Sequence, residues 1–281
     1  MFYHYSNNNF CESPLRKATA TKGENIMPRL MDNDVMEVGQ IGGMGGFQFS
    51  GVRTEKLGAT EYTLVTIAVD ETGSVCDFDR ELREALVTAV EACQRSPRSD
   101  NLLLRVIKFS SMFDNGVDEL HGFKPLAEID AQNDYQPLNP GGMTPLCDAC
   151  FSAIGAMNAY GQKLVDDDFG VNAIAFIITD GYDNDSVATM QMVREEAQKA
   201  ITGEIVESMV SVLIGINANE YKYELEKFQN EAGLTQYIDA GEATKGKLAK
   251  LADFVSQSVS SQSQAQALGT GGPSQNIAAT I

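Results

Sequence analysis

The sequence predicts an α/β protein: a doubly wound, mostly parallel sheet with helices on both faces and one antiparallel edge strand. Three observations carry this. Near-continuous apolar runs of strand length recur at residues 64–69, 102–109, 173–178 and 209–216, the pattern of strands buried on both faces. Between them, apolar residues recur at helical spacing. Two of the runs end directly in an acid, Asp70 and Asp180.

The elements follow in order. Residues 64–69 (LVTIAV) are apolar and rich in β-branched side chains, and read as a strand. Leu82, Leu86, Ala89, Val90 and Cys93 give the next segment one apolar helical face. Residues 102–109 form the second strand, and Asn115-Gly116 supplies hairpin chemistry. The stretch 119–126 is therefore expected to return antiparallel, as an edge strand. Pro145 opens a helix to about Tyr160, because proline suits the first helical position. Residues 173–178 are a third strand, and Ser186 is placed to cap a helix carrying Val187, Met190, Val193 and Ala197. After the strand at 209–216, Asn219 is expected to cap a helix through Leu225 and Phe228 that stops near Gly233. Tyr237-Ile238 is a short last strand, and Thr244 opens a helix with Leu248, Leu251, Phe254 and Val255 inside.

The chain has 281 residues and a formal net charge of −18. A field of that sign repels polyanions, so nucleic acid is not an expected partner. Five scattered cysteines, Cys11, Cys76, Cys93, Cys147 and Cys150, do not resemble a disulfide framework. No apolar run is long enough to span a bilayer, and the first residues lack the apolar core of a secretory signal. The expectation is a cytoplasmic protein without membrane contact. Residues 1–46 are read as an irregular arm, 47–260 as the domain, and 261–281 as a flexible Ser/Gln/Gly-rich tail.

In open α/β sheets the ligand site lies at the carboxyl ends of the strands, where strand order reverses. The residues there are Asp70-Glu71-Thr72-Gly73-Ser74, a D-x-T-x-S run; Gly141-Gly142-Met143-Thr144-Pro145-Leu146; and Thr179-Asp180-Gly181. Together they offer Asp70, Thr72, Ser74, Thr144 and Asp180. All five present oxygen and none a soft atom, which suits a hard divalent cation. Two carboxylates leave its shell incomplete, so a partner carboxylate is the natural remaining ligand.

These three segments, in this order and at these strand ends, resemble the metal-ion-dependent adhesion site of von Willebrand factor type A domains, over about residues 62–260. The resemblance implies that Thr72 and Ser74 ligate the metal directly and that Thr144 engages or releases with conformation. It implies that Asp70 and Asp180 act mainly through water and hydrogen bonds. The first motif usually reads D-x-S-x-S; Thr72 keeps the hydroxyl and adds a methyl. Without a signal or disulfides, the likeness is nearest to bacterial intracellular members, such as the tellurium-resistance-associated type and those working beside AAA+ ATPases. It implies a non-enzymatic module that binds Mg2+ (or Mn2+ or Ca2+) and a protein partner supplying Glu or Asp, such as an AAA+ ATPase or a stress-response protein.

Other readings are weaker. A haloacid-dehalogenase-type phosphatase needs an acid at position 72. Cys147-x-x-Cys150 lies within a helix without a second ligand pair, so both cysteines are expected in the core. His4 and His121 are the only histidines and fit no nucleophile arrangement. Asp183 and Asp185 follow Asp180 on the same edge and are candidate partner-binding acids. The long terminal extensions favour an alternative: a structural subunit of a bacterial or phage assembly that self-associates.

Overall fold

A computed structural model describes residues 35–42, 46–202 and 205–267. Eight strands form one sheet: β1 Met36–Gln40, β2 Gln48–Val52, β3 Glu61–Asp70, β4 Leu102–Phe109, β5 Val117–Pro125, β6 Gly170–Thr179, β7 Ser208–Ile216 and β8 Gln236–Gly241. Their order is β1-β2-β5-β4-β3-β6-β7-β8. β3 pairs in parallel with β4 on one side and β6 on the other. The winding reverses there, and the carboxyl ends of β3 and β6 are where open α/β sheets carry their ligand site.

Alternation along the strands divides the core in two. Leu64, Ala68, Leu103 and Ile107 face a cluster that includes α3 (Leu146–Asp166), α4 (Met190–Thr202) and α5 (Lys222–Ala232). Val65, Ile67, Val69, Leu104 and Val106 face α1 (Asp79–Gln94), the short α2 (Ala131–Asp134) and α6 (Lys245–Ala267). Both faces are covered, as continuous apolar strands require. Cys147 and Cys150 are buried on the inner side of α3, as core residues.

Several expectations need correction. Strand β1 lies inside the stretch expected to be irregular. It pairs antiparallel with β2, and its Glu37 reaches Lys163 of α3 in an ion pair, a partner 126 residues away. The predicted edge strand is β5, antiparallel to β4 as expected, but β2 runs beside it in parallel, so β1 is the edge. The close approach uses Gly122, where a Cβ would stand 2.0 Å from the Ser50 carbonyl oxygen. Arg105, fully buried on β4, is held by Glu119 at 2.6 Å and by the backbone and hydroxyl of Ser152.

The helix boundaries also shift. α3 continues to Asp166, because Tyr160 packs flat against Phe123 and its hydroxyl donates to the Val52 carbonyl. α4 starts at Met190; Thr189 accepts from the Met192 N–H and Val187 is exposed. Asn219 sits in a 3-10 turn and does not cap α5, which ends at Gly233 with φ 70°. Thr244 caps α6 as expected, through the Lys247 N–H. This helix runs to Ala267, past the expected start of the tail, with Val259 and Ser263 fully buried. The rest of the arm (1–34) and tail (268–281), with His4 and Cys11, lies outside the described residues.

Candidate metal centre

The three loops meet at the switch point. Asp70 ends β3 and Asp180 follows β6 directly. Gly73 N–H donates to the Gly142 carbonyl at 3.1 Å, and Gly141 N–H to the Glu71 carbonyl at 3.0 Å, which ties the first loop to the second. The second is tied to the third through Thr144: its N–H donates to Asn184 Oδ1 at 2.7 Å, and its carbonyl accepts from the Asn184 N–H at 3.0 Å. A Cβ at Gly181 would stand 3.7 Å from Thr144 Oγ1, so the Thr144 hydroxyl lies over the T-D-G turn.

The side chains continue this arrangement. Ser74 Oγ donates to Asp180 Oδ1 at 2.7 Å and lies 3.1 Å from Thr72 Oγ1. Asp70 Oδ1 accepts from the Thr72 N–H at 2.8 Å, and Oδ2 accepts from the Thr179 hydroxyl at 2.7 Å. Asp70, Thr72, Thr144 and Asp180 are buried, while Ser74 is exposed. Four of the five are thus shielded, and Ser74 is the one that meets solvent. All five sequence-predicted residues come together at this switch point.

The electrostatics define what fits. Burial, then the charge of Asp180, pushes the Asp70 carboxyl well above the usual carboxylate range, against its hydrogen bonds to Thr72 and Thr179. Burial raises Asp180 as well, opposed by Ser74. Among the described residues neither acid pairs with Lys, Arg or His. Lys108 on the same edge is held by Glu71 at 2.6 Å and Asp118 at 3.5 Å. Two buried carboxylates beside hydroxyl oxygens, without a protein cation, form a donor set suited to a hard divalent ion. The described residues contain no group of three or more His, Cys, Asp or Glu side chains suited to a metal, and three of the five candidate donors here, Thr72, Ser74 and Thr144, are hydroxyls.

Other residues contribute that the sequence pattern did not single out. Thr179, the residue before Asp180, orients Asp70 through its hydroxyl, which also lies 3.0 Å from the Gly181 carbonyl oxygen. Asn184 braces Thr144. Asp148, buried near the start of α3, accepts from the Val187 and Ala188 N–H groups and pins the far end of the T-D-G loop. Of the two candidate partner-binding acids, Asp183 is half-buried and accepts from the Cys147 N–H at 2.9 Å and from the Ser186 hydroxyl. Its carboxylate fastens the loop to the first turn of α3. Asp185 is exposed.

No protein-family model matches the chain, and no curated protein matches it. Solved structures do. The pilus adhesin SpaC of Lactobacillus rhamnosus GG, in an open conformation, superposes with a TM-score of 0.52 at 12% identity, over 76% of this chain and 31% of that chain. The shared fold is a doubly wound, mostly parallel α/β sheet with helices on both faces. The present chain thus spans about a third of SpaC, and at this identity the likeness concerns fold alone. The vWF domain of the pilus tip protein Mfa5 of Porphyromonas gingivalis (TM-score 0.49, 10% identity, 79% of this chain and 99% of that chain) is also similar. So is the zinc-occupied form of proximal thread matrix protein 1 from the mussel byssus (TM-score 0.47, 14% identity, 72% and 47%). Among the described residues no helix is long and apolar enough to cross a membrane.

Proposed function

We propose that this chain is a non-catalytic interaction module that engages a protein partner through a divalent cation, Mg2+ in the first instance, held by Asp70, Thr72, Ser74, Thr144 and Asp180. The observation that carries the reading is the buried Asp70–Asp180 pair with hydroxyls beside it and, among the described residues, no Lys, Arg or His to balance it. A bound dication would neutralise the pair and offer an open coordination position to an incoming carboxylate. The chain's own residues do the rest. Thr179 and the Thr72 N–H fix the Asp70 carboxylate, Ser74 links the first loop to Asp180, and Asn184 holds Thr144 in place. Among the described residues Cys93, Cys147 and Cys150 are buried thiols, which suits a reducing compartment such as the cytoplasm.

The test is calorimetric titration of the full chain with Mg2+, alongside Asp70→Ala and Thr144→Ala. Saturable binding, weakened at least about tenfold in both variants, supports the reading. Binding unchanged in both removes it.

The edge strand favours a second reading, self-association. Arg53 N–H donates to the Val35 carbonyl and Ile41 N–H to the Phe47 carbonyl. In that register the backbone groups of Met36, Val38 and Gln40 point away from β2, and among the described residues no strand pairs with that side. Light scattering across a concentration series would show a dimer if this reading holds and a monomer if it does not.

A further inference from the structure

The described residues include six exposed large hydrophobic side chains, and four of them, Met112, Met143, Tyr182 and Val187, lie on the carboxyl edge that carries the candidate metal centre. Chance placement would scatter them. They form two groups flanking the site. On one side, the Ser111 N–H donates to the Met143 carbonyl, and the Met143 N–H to the Ser111 hydroxyl at 2.8 Å, which sets Met112 and Met143 side by side. Met112 is seated by the glycine pair: a Cβ at Gly141 would stand 2.4 Å from its sulfur, and one at Gly142, whose φ is +73°, would stand 3.0 Å from its Cγ. On the other side, Tyr182 packs against Tyr221 with ring centroids 5.1 Å apart. Tyr182 follows Asp180 by two residues, which places the ring pair next to that acid along the loop. Beyond this rim stand the exposed acids Asp77, Asp185 and Glu220.

We propose that the rim is a specificity surface, and that the partner presents an acidic side chain flanked by apolar residues, with basic residues further out. The proposal rests on the metal-dependent reading and adds the chemistry of the partner epitope. Methionine and tyrosine are well matched to such a surface. Both give large contact area; methionine adapts its shape, and tyrosine is rigid. The surrounding acids favour basic residues at the epitope's periphery and disfavour further carboxylates. Selection then needs both parts, an acid for the metal centre and apolar neighbours for the rim.

The experiment uses the full chain and three fluorescent, end-capped peptides in millimolar Mg2+, read by polarisation. The peptides are Lys-Leu-Phe-Glu-Leu-Phe-Lys, the same with Gln for Glu, and Lys-Ser-Gly-Glu-Ser-Gly-Lys. The expected result is that the first binds roughly tenfold or more tighter than either other peptide, the scale of one packed anchor residue. The double variant Met143→Ser/Tyr182→Ser should lose the preference for apolar flanks, while Mg2+ still raises its melting temperature. Equal binding of the two Glu peptides, or no binding of any peptide, overturns the rim proposal. If Mg2+ nevertheless raises the melting temperature of the unmodified chain, the metal reading survives that failure. If Mg2+ leaves it unmoved and the Gln peptide binds as well as the Glu peptide, the metal reading falls too.

Discussion

Asp70→Asn should stabilise the metal-free protein and abolish its response to metal. Asp70 is fully buried, and burial together with Asp180 raises its carboxyl from the ordinary 3.8 to about 7. At about 1.4 kcal/mol for each tenfold change in proton affinity, an ionised Asp70 at pH 8 costs on the order of 4 kcal/mol of folding stability. The sign follows from linkage. Between pH 4 and 7 the native state holds a proton that the unfolded chain has released, so stability in the absence of metal declines as pH rises through that window. Asparagine removes the charge but turns a donor toward Thr179, whose hydroxyl must then donate to the Gly181 carbonyl it already approaches at 3.0 Å. Allowing about half of the gain for that rearrangement leaves roughly 2 kcal/mol, a rise of about 4–8 °C in Tm for a domain of this size. In the unmodified chain, metal at 100 times its Kd should contribute about 2.7 kcal/mol, a comparable rise. The assay is thermal unfolding at pH 5 and pH 8, with chelator or with millimolar Mg2+. Melting of Asp70→Asn below the unmodified chain in chelator at pH 8, or an equal shift of both proteins by Mg2+, would refute this account.

Other outcomes follow from particular contacts. Thr144→Ala keeps the backbone bonds to Asn184, so urea unfolding in chelator should change by less than about 1 kcal/mol while metal affinity drops. Asp148→Ala orphans the Val187 N–H and the buried Ala188 N–H and should cost about 2–4 kcal/mol by the same measurement. His121 is buried against the Tyr135 hydroxyl at 2.9 Å, and burial lowers its pKa to about 4. The unfolded chain takes up this proton first, so the His121 contribution to stability should fall by about 3 kcal/mol as pH drops from 6.5 to 4, opposite in sign to that of Asp70 over the same window. His121→Gln should flatten that slope, as pH-dependent urea midpoints would show. Gly122→Ala places a Cβ against the Ser50 carbonyl, so hydrogen exchange should report loss of protection in β1 and β2 before the rest of the sheet.

The amino-acid pattern alone determined the alternating strands and helices, because β3, β4, β6 and β7 are buried on both faces and must be continuously apolar. It also pointed to the five candidate oxygen donors: a doubly wound sheet brings strand ends to one edge, and hydroxyl and carboxylate at those ends are legible locally. Tertiary structure decided what depends on distant partners. β1 is held by pairing with β2 and by the Glu37–Lys163 contact, and carries too few apolar residues to declare itself. Thr189 rather than Ser186 begins α4, because Ser186 and Asp183 are engaged at the start of α3. The rim of Met112, Met143, Tyr182 and Val187 was equally invisible, since these residues lie up to 75 positions apart and only the shared sheet edge gathers them.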